Sequence, residues 1–286
     1  MPKRARMALY GAGGGALALI AVWFAAFHIA LVRRADRSIL IGFTGLQRPR
    51  FDALANFVAT LCNPNHYVVL VAVPIIVALV RRRPRHAGAM VAIVLGANLT
   101  TQLLKPLLAA PRPIGVNGLS IDAASWPSGH ATAAMTLVLC AVLAAPARRR
   151  PLVAALMGAF GIAVCYSFLS LHWHYPTDVL GGFLVAATWS LAGAAALFWA
   201  QARWPVRPGT ASDAPREAIS VASVLRPVAS VVACAAAVVA IVAVARPHPV
   251  ISYASAHSAF VVGAAAIAAC GLAIAGGASL ALNRSR

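Results

Sequence analysis

The sequence predicts an all-α polytopic membrane protein, with a six-helix core followed by two C-terminal transmembrane helices. Three observations carry that reading: marked apolarity, long blocks that exclude charge, and basic residues gathered mainly in the gaps between blocks. Of 286 residues, 61% are hydrophobic and 10% charged, and the mean hydropathy is +0.82. A soluble domain carries about a quarter of its residues as charges. In a bilayer only helices and closed barrels satisfy their own backbone groups. These blocks are rich in Ala, Val and Leu and do not alternate apolar with polar, which selects helices.

Eight blocks approach the roughly 20 residues needed to cross a hydrocarbon core. They are 8–32, 53–80, 87–105, 129–147, 152–171, 177–200, 227–245 and 258–281. In the second, Phe51 to Asn65 is amphipathic and broken by Asn63-Pro64-Asn65, which predicts an interfacial piece ahead of the true span. The first follows Lys3, Arg4 and Arg6, but its apolar stretch is too long for a leader and lacks a small-residue cleavage site, so it is read as a span.

With the N-terminus inside, eight spans place 16 of the 24 Lys and Arg in the cytoplasm, as the positive-inside rule requires. The net charge of +18 is therefore a topology signal. It does not indicate nucleic-acid binding, because the basic runs sit one per short loop. The segment 33–50 departs from the rule: it holds Arg33, Arg34, Arg37, Arg48 and Arg50 against Asp36, and suits an interface of anionic headgroups. The five cysteines show neither metal nor disulfide spacing and are expected as small core residues. Residues 1–201 are expected to form the core and 202–225, rich in Pro, Gly, Ser and charge, a cytoplasmic linker. Residues 226–286 then form a transmembrane hairpin whose small residues suit close packing, with both chain termini cytoplasmic.

The polar residues of the outer loops converge at one membrane depth. They are Lys105 and Arg112, then Ser128, Gly129 and His130 opening a span, then His172, His174 and Asp178 after the next span. Ionisable groups at membrane depth are functional candidates. Lys105 and Arg112 supply fixed positive charge, and Arg binds phosphate oxygens in a fork. Pro127-Ser128-Gly129-His130 offers a hydroxyl, a close backbone N–H and a helix N-terminus that favours an anion. His174 with Asp178 four residues on suggests an imidazole held in one tautomer, activated as nucleophile or base, and His130 can then protonate a leaving oxygen. Together these residues suit phosphoryl transfer without metal or cofactor. Trp126, Trp173 and Tyr175 read as aromatic-belt residues. A transporter is disfavoured, since the polar groups lie at helix ends rather than near the midplane.

Three segments, Lys105-x6-Arg112-Pro113, Pro127-Ser128-Gly129-His130 and His174-x3-Asp178, resemble the three-part motif of the type 2 phosphatidic acid phosphatase (PAP2) superfamily over roughly residues 30–200. The resemblance implies a six-helix lipid phosphatase core in an integral, multi-pass cell-membrane protein. In it, His174 is the nucleophile, Asp178 orients it, and His130 is the proton donor. Lys105, Arg112, Ser128 and the Gly129 amide hold the phosphoryl group. The substrate class it implies is a lipid phosphate or diphosphate: polyprenyl diphosphate, phosphatidic acid or phosphatidylglycerol phosphate. The family pattern opens its third motif with Ser-Arg, where this chain has Ser167-Phe168. His172, or Arg48 or Arg50 folding over the pocket, is the expected substitute for the missing cation. A non-catalytic lipid-phosphate binder or scaffold with a decayed site is the alternative.

Overall fold

The computed structural model describes residues 1–112, 121–205 and 220–283. Every regular element in them is helical: α1 (Lys3–His28), α2 (Ala30–Thr44), α3 (Pro49–Thr60), α4 (Pro64–Val80), α5 (Pro84–Leu107), α6 (Gly129–Ala144), α7 (Arg150–Ser170), α8 (Pro176–Arg203), α9 (Val221–Ala245), α10 (Pro247–Ala256) and α11 (Ser258–Asn283), with a 3₁₀ turn at Ala147–Arg149. The starts are written in the sequence. Pro49, Pro64, Pro84, Pro176 and Pro247 each occupy a first helical position, where the missing N–H costs nothing and φ is already set. Ser128 and Ser220 cap α6 and α9, their hydroxyls accepting from the N–H groups of Ala131 and Ser223.

Two helices end on left-handed non-glycine residues, Arg82 (φ 53°) after α4 and His172 (φ 66°) after α7. Both ends are Schellman closures. At α7, Trp173 N–H reaches Phe168 O at 3.0 Å and His172 N–H reaches Leu169 O at 3.1 Å. At α4, Arg83 N–H reaches Ala78 O and Arg82 N–H reaches Leu79 O, both at 2.8 Å.

Among the described residues six helices are long and apolar enough to cross a membrane: α1, α5, α7 (with its 3₁₀ turn), α8, α9 and α11. The pair α3 and α4 passes the same test together but bends by 58°. The expected break at Asn63-Pro64 is the bend itself. The fourth expected span, α6, is only 16 residues long, about 24 Å at 1.5 Å per residue. It needs no lipid-facing length, because it is buried almost throughout and packs against α4, α5, α7, α8 and α11. The loop expected at 33–50 instead begins as helix α2, whose Asp36 turns inward. The C-terminal helices pack into the bundle. Helix α11 lies against α7 and α2, Arg150 donates to Leu282 O and Asn283 Oδ1, and Tyr253 Oη donates to Gly42 O. Most of the expected linker and Pro113 of the first motif fall outside the described residues, and α9 begins inside the linker, at Val221. Cys62, Cys140 and Cys165 are core residues as expected, whereas Cys234 is exposed on the apolar face of α9.

Glycine lets the backbones of α6 and α8 approach closely. A Cβ on Gly182 of α8 would lie 2.7 Å from Ser128 O and 2.8 Å from Thr132 N, both backbone atoms of α6. Gly182→Ala is therefore expected to push α8 off α6. Overpacking of this kind costs about 1–3 kcal/mol, and a displacement near 1 Å at a reactive centre costs about 10²-fold in rate. Thermal midpoint and turnover of the purified variant should both fall; wild-type values would show that the contact relaxes elsewhere.

Candidate active site

One end of the bundle gathers the chemistry-bearing residues. It is built from the end of α1, the inner face of α2, the α3/α4 bend, the ends of α5 and α7, and the starts of α6 and α8. The last two meet directly: Ser128 N–H donates to Asp178 O at 3.0 Å. Two helix N-termini thus point their partial positive charge into one space. The Lys105 Nζ lies 3.8 Å from where a Cβ on Gly129 would stand, so glycine there leaves the α6 terminus open beside the ammonium.

Asp178, fully buried at the third position of α8, organises the other side. Its Oδ2 accepts Tyr175 N–H at 3.0 Å and faces His174 Nδ1 at 3.4 Å, a long contact that makes an ion pair only when the ring is protonated. Its Oδ1 pairs with Arg112. Arg112 also donates to Ser125 Oγ at 2.8 Å and Thr177 Oγ1 at 3.3 Å, and its guanidinium lies 4.2 Å from the Tyr175 ring centroid and 4.9 Å from that of Phe27. Across the space stands His130, its ring 6.2 Å from that of His174 and 5.4 Å from that of Trp173. His130 Nε2 is 2.8 Å from Asn63 Oδ1, which accepts its N–H.

The structure thus brings Lys105, Arg112, Ser128, Gly129, His130, His174 and Asp178 together. It does not bring the expected substitutes for the missing arginine. His172 serves the backbone: it is the left-handed residue that closes α7 and turns the chain toward His174. Burial lowers its pKa below the ordinary histidine value, away from a permanent cation. Arg48 is exposed and donates to the carbonyls of Gln47 and Gly45, and Arg50 is exposed without a polar contact among the described residues. Phe168 itself fills the position. Its fully buried ring stands edge-on to His174 at 5.2 Å and 5.9 Å from His130. His172→Gly should therefore keep turnover unchanged and stabilise modestly, since a left-handed non-glycine residue costs about 1–2 kcal/mol. A loss of turnover would return His172 to the chemistry.

Sequence reading missed several members. Trp126 and Tyr175 are buried packing residues here, not belt residues, with Trp126 seated against Gly181. Trp173 flanks His130. Asn63 was singled out as a helix break only. Asp36 carried a signal, as the lone acid amid five arginines. It is 3% exposed, accepts both the N–H and the hydroxyl of Thr177, and lies 3.6 Å from Arg112. Arg112 is thus clamped between two carboxylates from different helices.

Burial pushes the Asp36 carboxyl from 3.8 up to about 7, and the nearby Asp178 charge acts the same way against the opposing effects of Thr177 and Arg112. The folded protein then binds one more proton than the unfolded chain between the two values. This group's contribution to stability falls as pH rises through that window. The thermal midpoint of Asp36→Asn should lack this decline between about pH 4 and pH 7; parallel curves for variant and wild type would assign the titration elsewhere.

Among the described residues no cluster of three or more His, Cys, Asp or Glu has a metal-holding arrangement. Fold and site together describe a multi-pass membrane protein that gathers two histidines, Lys105, Arg112 and two helix N-termini at one end of its helix bundle. Residues 86–204 match the family model of the PAP2 superfamily. That match supports a phosphoric ester hydrolase. No curated protein sequence matches this chain. Its fold is similar to that of a transmembrane PAP2-type phosphatidylglycerolphosphate phosphatase from Bacillus subtilis, with a TM-score of 0.57 and 21% identity over 69% of this chain and 100% of that one.

Proposed function

We propose that the protein hydrolyses a lipid phosphate or diphosphate through a phosphohistidine on His174, at a site opening to the extracytoplasmic side. The observation that carries this reading is His174 turned toward the buried Asp178, with His130 6.2 Å across the same space. Asp178 holds Nδ1 protonated and leaves the Nε2 lone pair to attack phosphorus. As the N–P bond forms, the P–O bond to the lipid breaks and His130 gives the departing oxygen a proton. Water then attacks phosphorus, His130 takes its proton, and the N–P bond breaks to release inorganic phosphate and free His174. Lys105, Arg112, the Ser128 hydroxyl and the Gly129 amide hold the phosphoryl oxygens. They act most strongly where charge concentrates in the transition state.

Polyprenyl diphosphate, phosphatidic acid and phosphatidylglycerol phosphate are the candidate substrates, the last favoured by the activity named for the similar structure. The test is phosphate release from each of these by purified protein in EDTA. Release from at least one is expected. Binding without release, or strict dependence on an added divalent metal, would contradict the proposal.

A further inference from the structure

At the end of the bundle opposite the histidines lies a cavity of about 520 Å³ between α1, α5, α6, α8 and α11. Met7, Ile93, Leu143, Phe198 and Ile274 line it, with Ala and Gly positions leaving the space open. Along α8 it runs from Ala187 to Phe198. That is about 16 Å at 1.5 Å per residue, close to one leaflet's half of a roughly 30 Å hydrocarbon core. Its one charged lining residue is Arg4, whose guanidinium sits at the mouth, 5.2 Å from the Phe198 ring centroid. Lys3 and Arg6 flank it in sequence. Among the described residues Arg4 has no acidic partner, and no acidic residue lines the cavity.

Apolar walls of this extent pack well only against an apolar filling, and an apolar lining gives water too few partners. Between membrane-crossing helices the filling at hand is hydrocarbon. A cation at the mouth, one leaflet from the deep end, adds a preference for a chain that carries an anionic head. We propose that this cavity is a site for an anionic phospholipid, with one acyl chain between α6, α8 and α11 and the phosphate against Arg4. The same α8 carries Asp178 near its first turn and walls the cavity near its last. Occupancy therefore braces the helix that positions the catalytic carboxylate.

The test uses two photoactivatable probes in vesicles of neutral lipid, phosphatidylglycerol and phosphatidylcholine, each with a diazirine midway along one acyl chain. After irradiation, cross-linked peptides of the full-length protein are mapped. The anionic probe should label 139–143 and 273–282, and Arg4→Gln should lower that labelling about fivefold, the effect of one basic residue at an anionic headgroup. Labelling by the neutral probe should not change in Arg4→Gln. Ala194→Trp, which fills the cavity, should remove labelling by both. Equal labelling by the two probes in the wild type would overturn the anionic site in favour of bulk lipid. No labelling of these segments would overturn it in favour of protein, a second copy or the chain's own 206–219 segment. Because Arg4 is remote from the histidines, its variant is informative even if Ala194→Trp fails to fold.

Discussion

His174→Ala should lower turnover by at least about 10³-fold while leaving the fold in place. A nucleophile that forms the covalent intermediate has no substitute in the site, and losses of this order or larger follow its removal. The fold should survive because Asp178 does not depend on the imidazole. Its carboxylate keeps Arg112 on one oxygen and Tyr175 N–H on the other. The lost ring contacts are with Phe168, which remains packed in the core, and with His130, which keeps Asn63 and Trp173. The pair of measurements is phosphate release and thermal midpoint in detergent. A midpoint within a few degrees of wild type with turnover abolished is the expected result; appreciable turnover would remove His174 from the mechanism.

Arg112→Ala should damage both stability and activity. It leaves two buried carboxylates, Asp36 and Asp178, without their shared cation. Breaking a buried pair from one side costs about 3–5 kcal/mol, because the remaining charge stays desolvated. Turnover should fall by a further 10²–10³-fold or so through loss of a transition-state donor. Arg112→Lys keeps the charge but cannot fork between Asp178, Ser125 and Thr177, so it should recover stability only in part. Adding Asp36→Asn to Arg112→Ala should restore part of the midpoint and none of the turnover. If Arg112→Ala melts as the wild type does, the clamp is not holding the two helices.

The sequence made the helical membrane fold and the site's seven motif residues readable for a simple reason. Charge is so scarce in this chain that each polar residue at a helix end stands out. Pro64, Pro84 and Pro176 mark helix starts by backbone geometry alone, and Ser128 announces its own cap. What stayed hidden depends on packing between distant segments. Asp36 looked like a surface counter-charge until α2 turned it inward onto Thr177 and Arg112, 141 and 76 positions away in sequence. Asn63 signalled a break, and only the 58° bend between α3 and α4 sets its side chain against His130. His172 looked chemical because its type is chemical, while its backbone angle shows a turn residue. Phe168 was legible as an absence of charge. That its ring packs against both imidazoles follows from the exit of α7 and from nothing local.

The central claim is that phosphate passes through His174. It is tested most directly by mixing the protein in EDTA with a lipid phosphate radiolabelled on phosphorus. The reaction is quenched in alkali, which preserves a phosphoramidate, and the labelled peptide is mapped. The expected result is label on the peptide carrying His174, absent in His174→Ala and slower to appear and to decay in His130→Ala. Turnover with no trapped label, or label on any other residue, would contradict the account.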